Sequence, residues 1–141
     1  MNLREILNVK GTAVHTISPS ATLAQVVDFL VDHNCGSLVV CAGDDMVGII
    51  TERDILRACS DRKTALEERT VEDVMSTDLV TATPSDEVES VMGLMTENRI
   101  RHMPVLEDDK LAGLISIGDV VKAQHDLLTL ENHMLKSYLQ T

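Results

Sequence analysis

The chain is 141 residues long and carries 12 Lys and Arg against 23 Asp and Glu, a net charge of −11, with one Phe, one Tyr and no Trp. So acidic a chain argues against a nucleic-acid or anionic-membrane footprint, which needs positive charge, and the shortage of rings removes the platforms on which single strands stack. A chain of this size buries roughly two-thirds of its unfolded surface and needs no disulfide or metal staple.

Met1 to Lys10 contains no apolar stretch of the kind a secretory signal needs. Its Leu3-Arg-Glu-Ile-Leu7 pattern instead reads as a short lead-in to the first repeat of the chain. A brief extended piece, Val14–Ile17, precedes Pro19-Ser20, and Ser20 is a candidate helix N-cap. Leu23, Val26, Val27 and Leu30 then recur at helical spacing, the buried stripe of an amphipathic helix. Two β-rich runs come next, Ser37–Cys41 and Met46–Thr51, joined by the turn-like Ala-Gly-Asp-Asp, and a second helix opens at Glu52. The polar segment Ser60–Arg69 reads as a linker.

The same order then returns. An offset of 65 residues lays His15–Ala58 on Val80–Ala123 without a gap. Pro19-Ser20 falls on Pro84-Ser85, Gly48-Ile-Ile-Thr51 on Gly113-Leu-Ile-Ser116, and Asp54 on Asp119. The lead-in returns as Val71-Glu-Asp-Val-Met75, at an offset of 68. The second copy comprises the extended piece Leu79–Ala82, the candidate cap Ser85, and the stripe Val88, Val91, Met92 and Met95. Its β-runs are His102–Leu106 and Leu111–Ser116, and a helix opens at Ile117. No Gly or Pro occurs after Gly118, so that helix can run to Leu139 with an apolar stripe of Leu127, Leu130, Met134 and Tyr138. The stripe either meets a partner, such as the same helix of a second chain, or folds back on its own domain.

The expected fold class is α/β (α+β): two tandem β-α-β-β-α repeats packed with pseudo-two-fold symmetry, with two equivalent clefts and an extended C-terminal helix. The expected boundaries are 1–62 for the first repeat with its lead-in, 70–124 for the second, and 125–141 for the extension. The apolar runs, such as Leu38–Ala42, are too short to span a bilayer. Cys35, Cys41 and Cys59 lack CxxC spacing and read as buried thiols of a reducing, cytoplasmic compartment.

The most informative motif is Gly48-Ile-Ile-Thr51-Glu-Arg-Asp54 and its echo Gly113-Leu-Ile-Ser116-Ile-Gly-Asp119. Each places a hydroxyl where a strand passes into a helix, with a carboxylate three residues on. A helix N-terminus attracts anions through its free N–H groups and dipole. The hydroxyl can join them on a phosphate, the carboxylate can accept hydrogen bonds from a ribose diol, and the glycine lets the strand approach a flat ligand. Spacing alone favours a capping box, which stabilises a helix with no ligand, and Thr70/Asp73 and Thr83/Asp86 share it. The two strand-end motifs stand apart from those because they recur at equivalent positions of the repeat.

With its duplicated β-α-β-β-α unit, its two Gly-h-h-Thr/Ser-x-x-Asp motifs and the strand pattern Arg101-His-Met-Pro-Val105, the chain resembles a CBS-domain pair, or Bateman module, of the small stand-alone bacterial type. The resemblance covers about residues 3–123. It implies a non-catalytic sensor of AMP, ADP, ATP or NAD(H), with S-adenosylmethionine a further family ligand, that pairs into a homodimer and acts on an unidentified regulated protein. It implies that Asp54 and Asp119 hold ribose, with Thr51 and Ser116 close by. Arg101 and His102, followed by Met103 and Pro104, take the strand positions of basic phosphate contacts. Thr16 with Ile17 and Thr81 with Ala82 border the adenine, and Arg53 is a further cation. Without rings, the base is held between aliphatic walls such as Ile50, Val105 and Ile115. The first copy lacks the strand cations, so the second site is the better supplied for phosphate.

The five histidines form no metal-ligand spacing, no nucleophile–base set is visible, and no obligatory cofactor or metal is expected. A structural dimerisation or protein-interaction module with empty clefts is the alternative reading.

Overall fold

The computed structural model describes residues 1–140, so the last residue of the expected 125–141 extension lies outside the described residues. In chain order the elements are α1 (Leu3–Lys10), β1 (Thr16–Ile17), α2 (Leu23–Asp32), β2 (Ser37–Ala42), β3 (Asp45–Thr51) and α3 (Glu52–Cys59). A 3-10 turn (Leu66–Glu68) and α4 (Val71–Val74) lead to α5 (Val88–Asn98), β4 (His102–Glu107), β5 (Lys110–Ser116) and α6 (Ile117–Leu139). They form two compact units. One is Ala13–Val80; the other joins Met1–Thr12 to the chain from Thr81 onward. The lead-in 1–12, grouped by sequence with the first repeat, therefore packs with the second.

In the 13–80 unit the apolar run of β2 is buried from Ser37 to Val40 and pairs on both sides. It is parallel to β1 (Thr16 opposite Val39) and antiparallel to β3 (Ser37 opposite Thr51). Leu23, Val26 and Leu30 of α2 close one face of the core against Leu38, Val40, Ile50, Ile55, Ala58 and Val71. That is the helical stripe read from sequence, now with its partners. The cap is different: α2 starts at Leu23 on a Thr22–Gln25 capping box, and Ser20 sits in the preceding turn with its amide on the Ser18 hydroxyl. Ser85 likewise precedes α5, whose N-cap is Glu87. Both serines come directly after a proline, and the chain makes a turn there before the helix can begin.

The other unit repeats the hairpin, with His102 opposite Ser116, and its first strand is reduced to one parallel bridge, Ala82 to Val105. Asp108 and Asp109 form its two-residue turn with φ of 52° and 62°, the paired left-handed geometry that suits the twist of a hairpin. Val88, Val91 and Met95 of α5 and Val120 of α6 are buried. Helix α1 starts on an Asn2–Glu5 capping box and buries Leu3, Ile6 and Leu7. Backbone bonds from Leu3 to Asp86 and from Arg4 to Pro84, and an Arg4–Glu107 ion pair at 2.7 Å, fasten it.

The two motif glycines are explained by this docking. A Cβ on Gly48 would stand 2.7 Å from Met75 Sδ and 2.9 Å from the Ser76 carbonyl; one on Gly113 would stand 2.6 Å from a Leu7 methyl. The close approach expected of a flat ligand is made instead by the lead-in segments, Met75-Ser76 in one unit and Leu7 in the other.

Candidate functional site

Both strand-end motifs form reciprocal caps. Thr51 N–H donates to Asp54 Oδ2 at 2.9 Å, and Asp54 N–H to Thr51 Oγ1 at 3.4 Å. Ser116 N–H donates to Asp119 Oδ2 at 2.9 Å, and Asp119 N–H to Ser116 Oγ at 3.1 Å. The first amide of each helix is also engaged, Glu52 on the Gly36 carbonyl and Ile117 on the Arg101 carbonyl. In each first turn the intervening amide, of Arg53 or Gly118, takes no part in these pairs. The capping reading is thus realised, and Thr70/Asp73 and Thr83/Asp86 form the same kind of contact.

The hairpin register brings Ser116 and His102 side by side at the start of the last helix, with Arg101 exposed next to them. Thr51 lies opposite Ser37 in the same way, where the first unit has no cation; Arg53 and Thr16 are exposed and Ile17 is half-buried. Thr81 is exposed, whereas Ala82, Met103 and Pro104 are buried, and the Ala82 amide and carbonyl are bonded to the Pro104 carbonyl and the Leu106 amide. Ile50, Val105 and Ile115 are each 0% exposed. They belong to the cores: Ile50 and Val105 each end a run of three buried residues, Gly48–Ile50 and Met103–Val105, and Ile115 lies between the half-buried Leu114 and Ser116.

Lys10, the last residue of α1, is a site residue that the sequence does not reveal. Its ammonium lies 2.5 Å from Asp119 Oδ2 and donates to the Leu114 carbonyl at 2.7 Å. Burial alone would push the Asp119 carboxyl up. The hydrogen bond and charge of Lys10, with the Ser116 amide and hydroxyl, outweigh it and hold the group below its ordinary value of 3.8. The one sequence signal is the lead-in repeat, which does not say on which copy each lead-in docks.

Elsewhere, His15, Phe29 and His33 stack together, Phe29 and His33 with centroids 4.2 Å apart. A surface cavity of about 530 Å³ is lined by Arg4, Asn8, Glu107 and Lys110 among others, and holds none of the expected site residues. Cys35 and Cys41 are half-buried, which pushes their thiols up; Cys59, expected to be buried, is exposed at the end of α3. Among the described residues no cluster of His, Cys, Asp or Glu is arranged to hold a metal ion, and no helix is long and apolar enough to cross a membrane.

The "CBS domain" family model matches residues 4–61 and 71–126. The CBS-domain protein ATU1752 from Agrobacterium tumefaciens is 35% identical and superposes with a TM-score of 0.84, covering 88% of this chain and 99% of that one. A hexameric CBS-CP12 protein from bloom-forming cyanobacteria is 30% identical, with a TM-score of 0.75 over 86% of this chain and 66% of that one. The CBS-domain pair of protein MJ0100, solved with 5-methylthioadenosine and S-adenosylmethionine, shares the fold at 23% identity, with a TM-score of 0.79 over 89% of this chain and 97% of that one.

Proposed function

The chain belongs to the CBS-domain family, two copies of the domain making up nearly all of it, and on that premise we propose that it is a non-catalytic regulatory module for an adenine nucleotide. AMP, ADP, ATP and NADH are the candidates. The observation that carries the reading is the recurrence, at equivalent places in both units, of a hydroxyl and a carboxylate at the point where a buried strand opens into a helix. In this reading Asp54 and Asp119 receive the ribose hydroxyls, and Thr51 and Ser116 stand beside them. Arg101 and His102 serve phosphate in the second unit, where the first offers Arg53. The adenosine-type ligands of protein MJ0100 support the choice of ligand class. Signalling results if the ligand binds one packing of the protein better than another.

Titration calorimetry of ligand-stripped protein with AMP, ADP, ATP, NADH and S-adenosylmethionine tests it. Saturable binding of an adenine nucleotide is expected; heats of dilution alone with all five would overturn the reading.

Self-association is the second element of the proposal, and a specific feature favours it. Helix α6 has 23 residues, about 34 Å at 1.5 Å per residue. Val120 is its buried residue, and the same face continues through Leu130, Met134 and Tyr138, all more than half exposed, with Leu128, Leu135 and Leu139 alongside. We take this face to meet a second copy, giving a homodimer, as the hexameric relative also associates. A reducing, cytoplasmic setting suits the three free cysteines, and the regulated partner is a protein that reads the packing of the two units.

A further inference from the structure

Resting on the ribose-binding reading above, we propose that Lys10 is an internal competitor for the ribose, a cation that holds Asp119 closed until a ligand displaces it and so sets the affinity of the second site apart from the first.

The argument starts from lone pairs. A carboxylate that receives a cis-diol in the bidentate way, one hydroxyl on each oxygen, needs an open acceptor position on each. Asp119 Oδ2 already accepts from the Ser116 amide at 2.9 Å and from the Lys10 ammonium at 2.5 Å, so both of its in-plane positions are filled. The Ser116 amide belongs to the helix cap and stays. Lys10 is the donor that must leave. It is not a loose side chain: α1 is anchored by its buried leucines and its capping box, and the ammonium has a second acceptor in the Leu114 carbonyl. Removing it breaks a charge-assisted pair whose members are 37% and 24% exposed.

The other unit differs at this point. Asp54 Oδ2 accepts from the Thr51 amide and, at 3.2 Å, from the Thr51 hydroxyl. That hydroxyl is neutral and turns about a single bond, so a ribose displaces it without breaking an ion pair. The sequence counterpart of Lys10 at the lead-in offset of 68 is Asp78, an acid that cannot close a carboxylate. The two sites carry matching caps, and a cation is paired with the carboxylate of the second.

Ligand binding that waits for a closed state to open is weakened by the fraction of open protein. A partly exposed pair of this kind makes that factor roughly two- to sixfold. The test measures adenosine affinity in the Asp54→Ala background, so that a single site is read, with Lys10, Lys10→Met or Lys10→Arg. Thermal unfolding of each confirms folding. The proposal expects Lys10→Met to tighten adenosine by about that two- to sixfold factor, and Lys10→Arg to match the parent. It expects a further Asp119→Asn change to abolish the difference. An unchanged affinity in Lys10→Met makes Lys10 a structural tie, and a weakened one makes it a ligand contact; either overturns the proposal while leaving the ribose reading intact. If the parent and all variants fail to bind adenosine, the ribose reading falls and the proposal falls with it.

Discussion

Removing the carboxylate of Asp119 separates capping from binding, because the chain contains its own control. Asp119→Ala deletes the acceptor of the Ser116 amide and the partner of Lys10. Loss of a helix cap costs about 1 kcal/mol. The Lys10 pair, partly open to solvent, adds only about 0.2–1 kcal/mol. The sum, about 1–2 kcal/mol, lowers Tm by roughly 2–8 °C at about 2–4 °C per kcal/mol for a chain near this size. Asp73→Ala deletes the matching acceptor of the Thr70 amide, at 3.2 Å, and costs about 1 kcal/mol on the same basis. Binding then parts the two variants. A hydrogen bond to a charged group is worth about 1.5–3 kcal/mol, and tenfold in affinity is about 1.4 kcal/mol, so losing even one ribose contact weakens a site by roughly ten- to a hundredfold. Melting curves and AMP titrations of both variants are the assay. Asp119→Ala should lose stability and one site; Asp73→Ala should lose only stability. Equal stability losses with unaltered AMP binding in both would refute the reasoning and leave Asp119 as a cap.

The stabilisation from Asp119 has a defined pH window. Its folded value is depressed, so its contribution is complete above the ordinary 3.8 and disappears as pH falls through the lower folded value. The stability gap between the parent and Lys10→Met, measured by urea unfolding, should therefore be constant from pH 7 to about 5 and close below pH 4. At Gly48 the contact is with the Ser76 carbonyl at 2.9 Å as well as with Met75, whereas at Gly113 it is with a flexible Leu7 side chain. Gly48→Ala should cost about 1–3 kcal/mol by overpacking and Gly113→Ala less, as read by chemical denaturation. The double variant Leu130→Glu/Met134→Glu should lower the mass seen in sedimentation equilibrium without lowering the monomer's helix content; an unchanged mass would remove α6 from the interface.

Repetition makes much of the fold legible. The stripe Leu23, Val26, Leu30 and its copy Val88, Val91, Met95 are buried as their spacing requires. The hairpins end within a residue of the expected runs, and the helices after Thr51 and Ser116 begin where the motifs place them. Spacing does not carry long-range docking. Nothing local in Leu3–Lys10 says that this helix joins the unit formed from Thr81 onward, yet that choice puts Leu7 over Gly113 and Lys10 on Asp119. The same blindness assigns the close approach at Gly48 to a ligand when the chain's own Met75 fills it. Ile50, Val105 and Ile115 resemble ligand walls because apolar strand residues look alike in sequence; their burial is decided by which face meets the core. Ser20 and Ser85 look like caps by composition, and only the turn after each proline shows the helices starting later.

The central claim is that two carboxylates receive the hydroxyls of a ribose, and the most direct measurement compares adenosine with 2′,3′-dideoxyadenosine in thermal unfolding of ligand-stripped protein. At 100 times its Kd a ligand adds about 2.7 kcal/mol, a rise of roughly 5–11 °C at about 2–4 °C per kcal/mol. The account predicts such a rise with adenosine and little or none with the dideoxy compound at the same concentration. Equal shifts with both, or no shift with either, would contradict it.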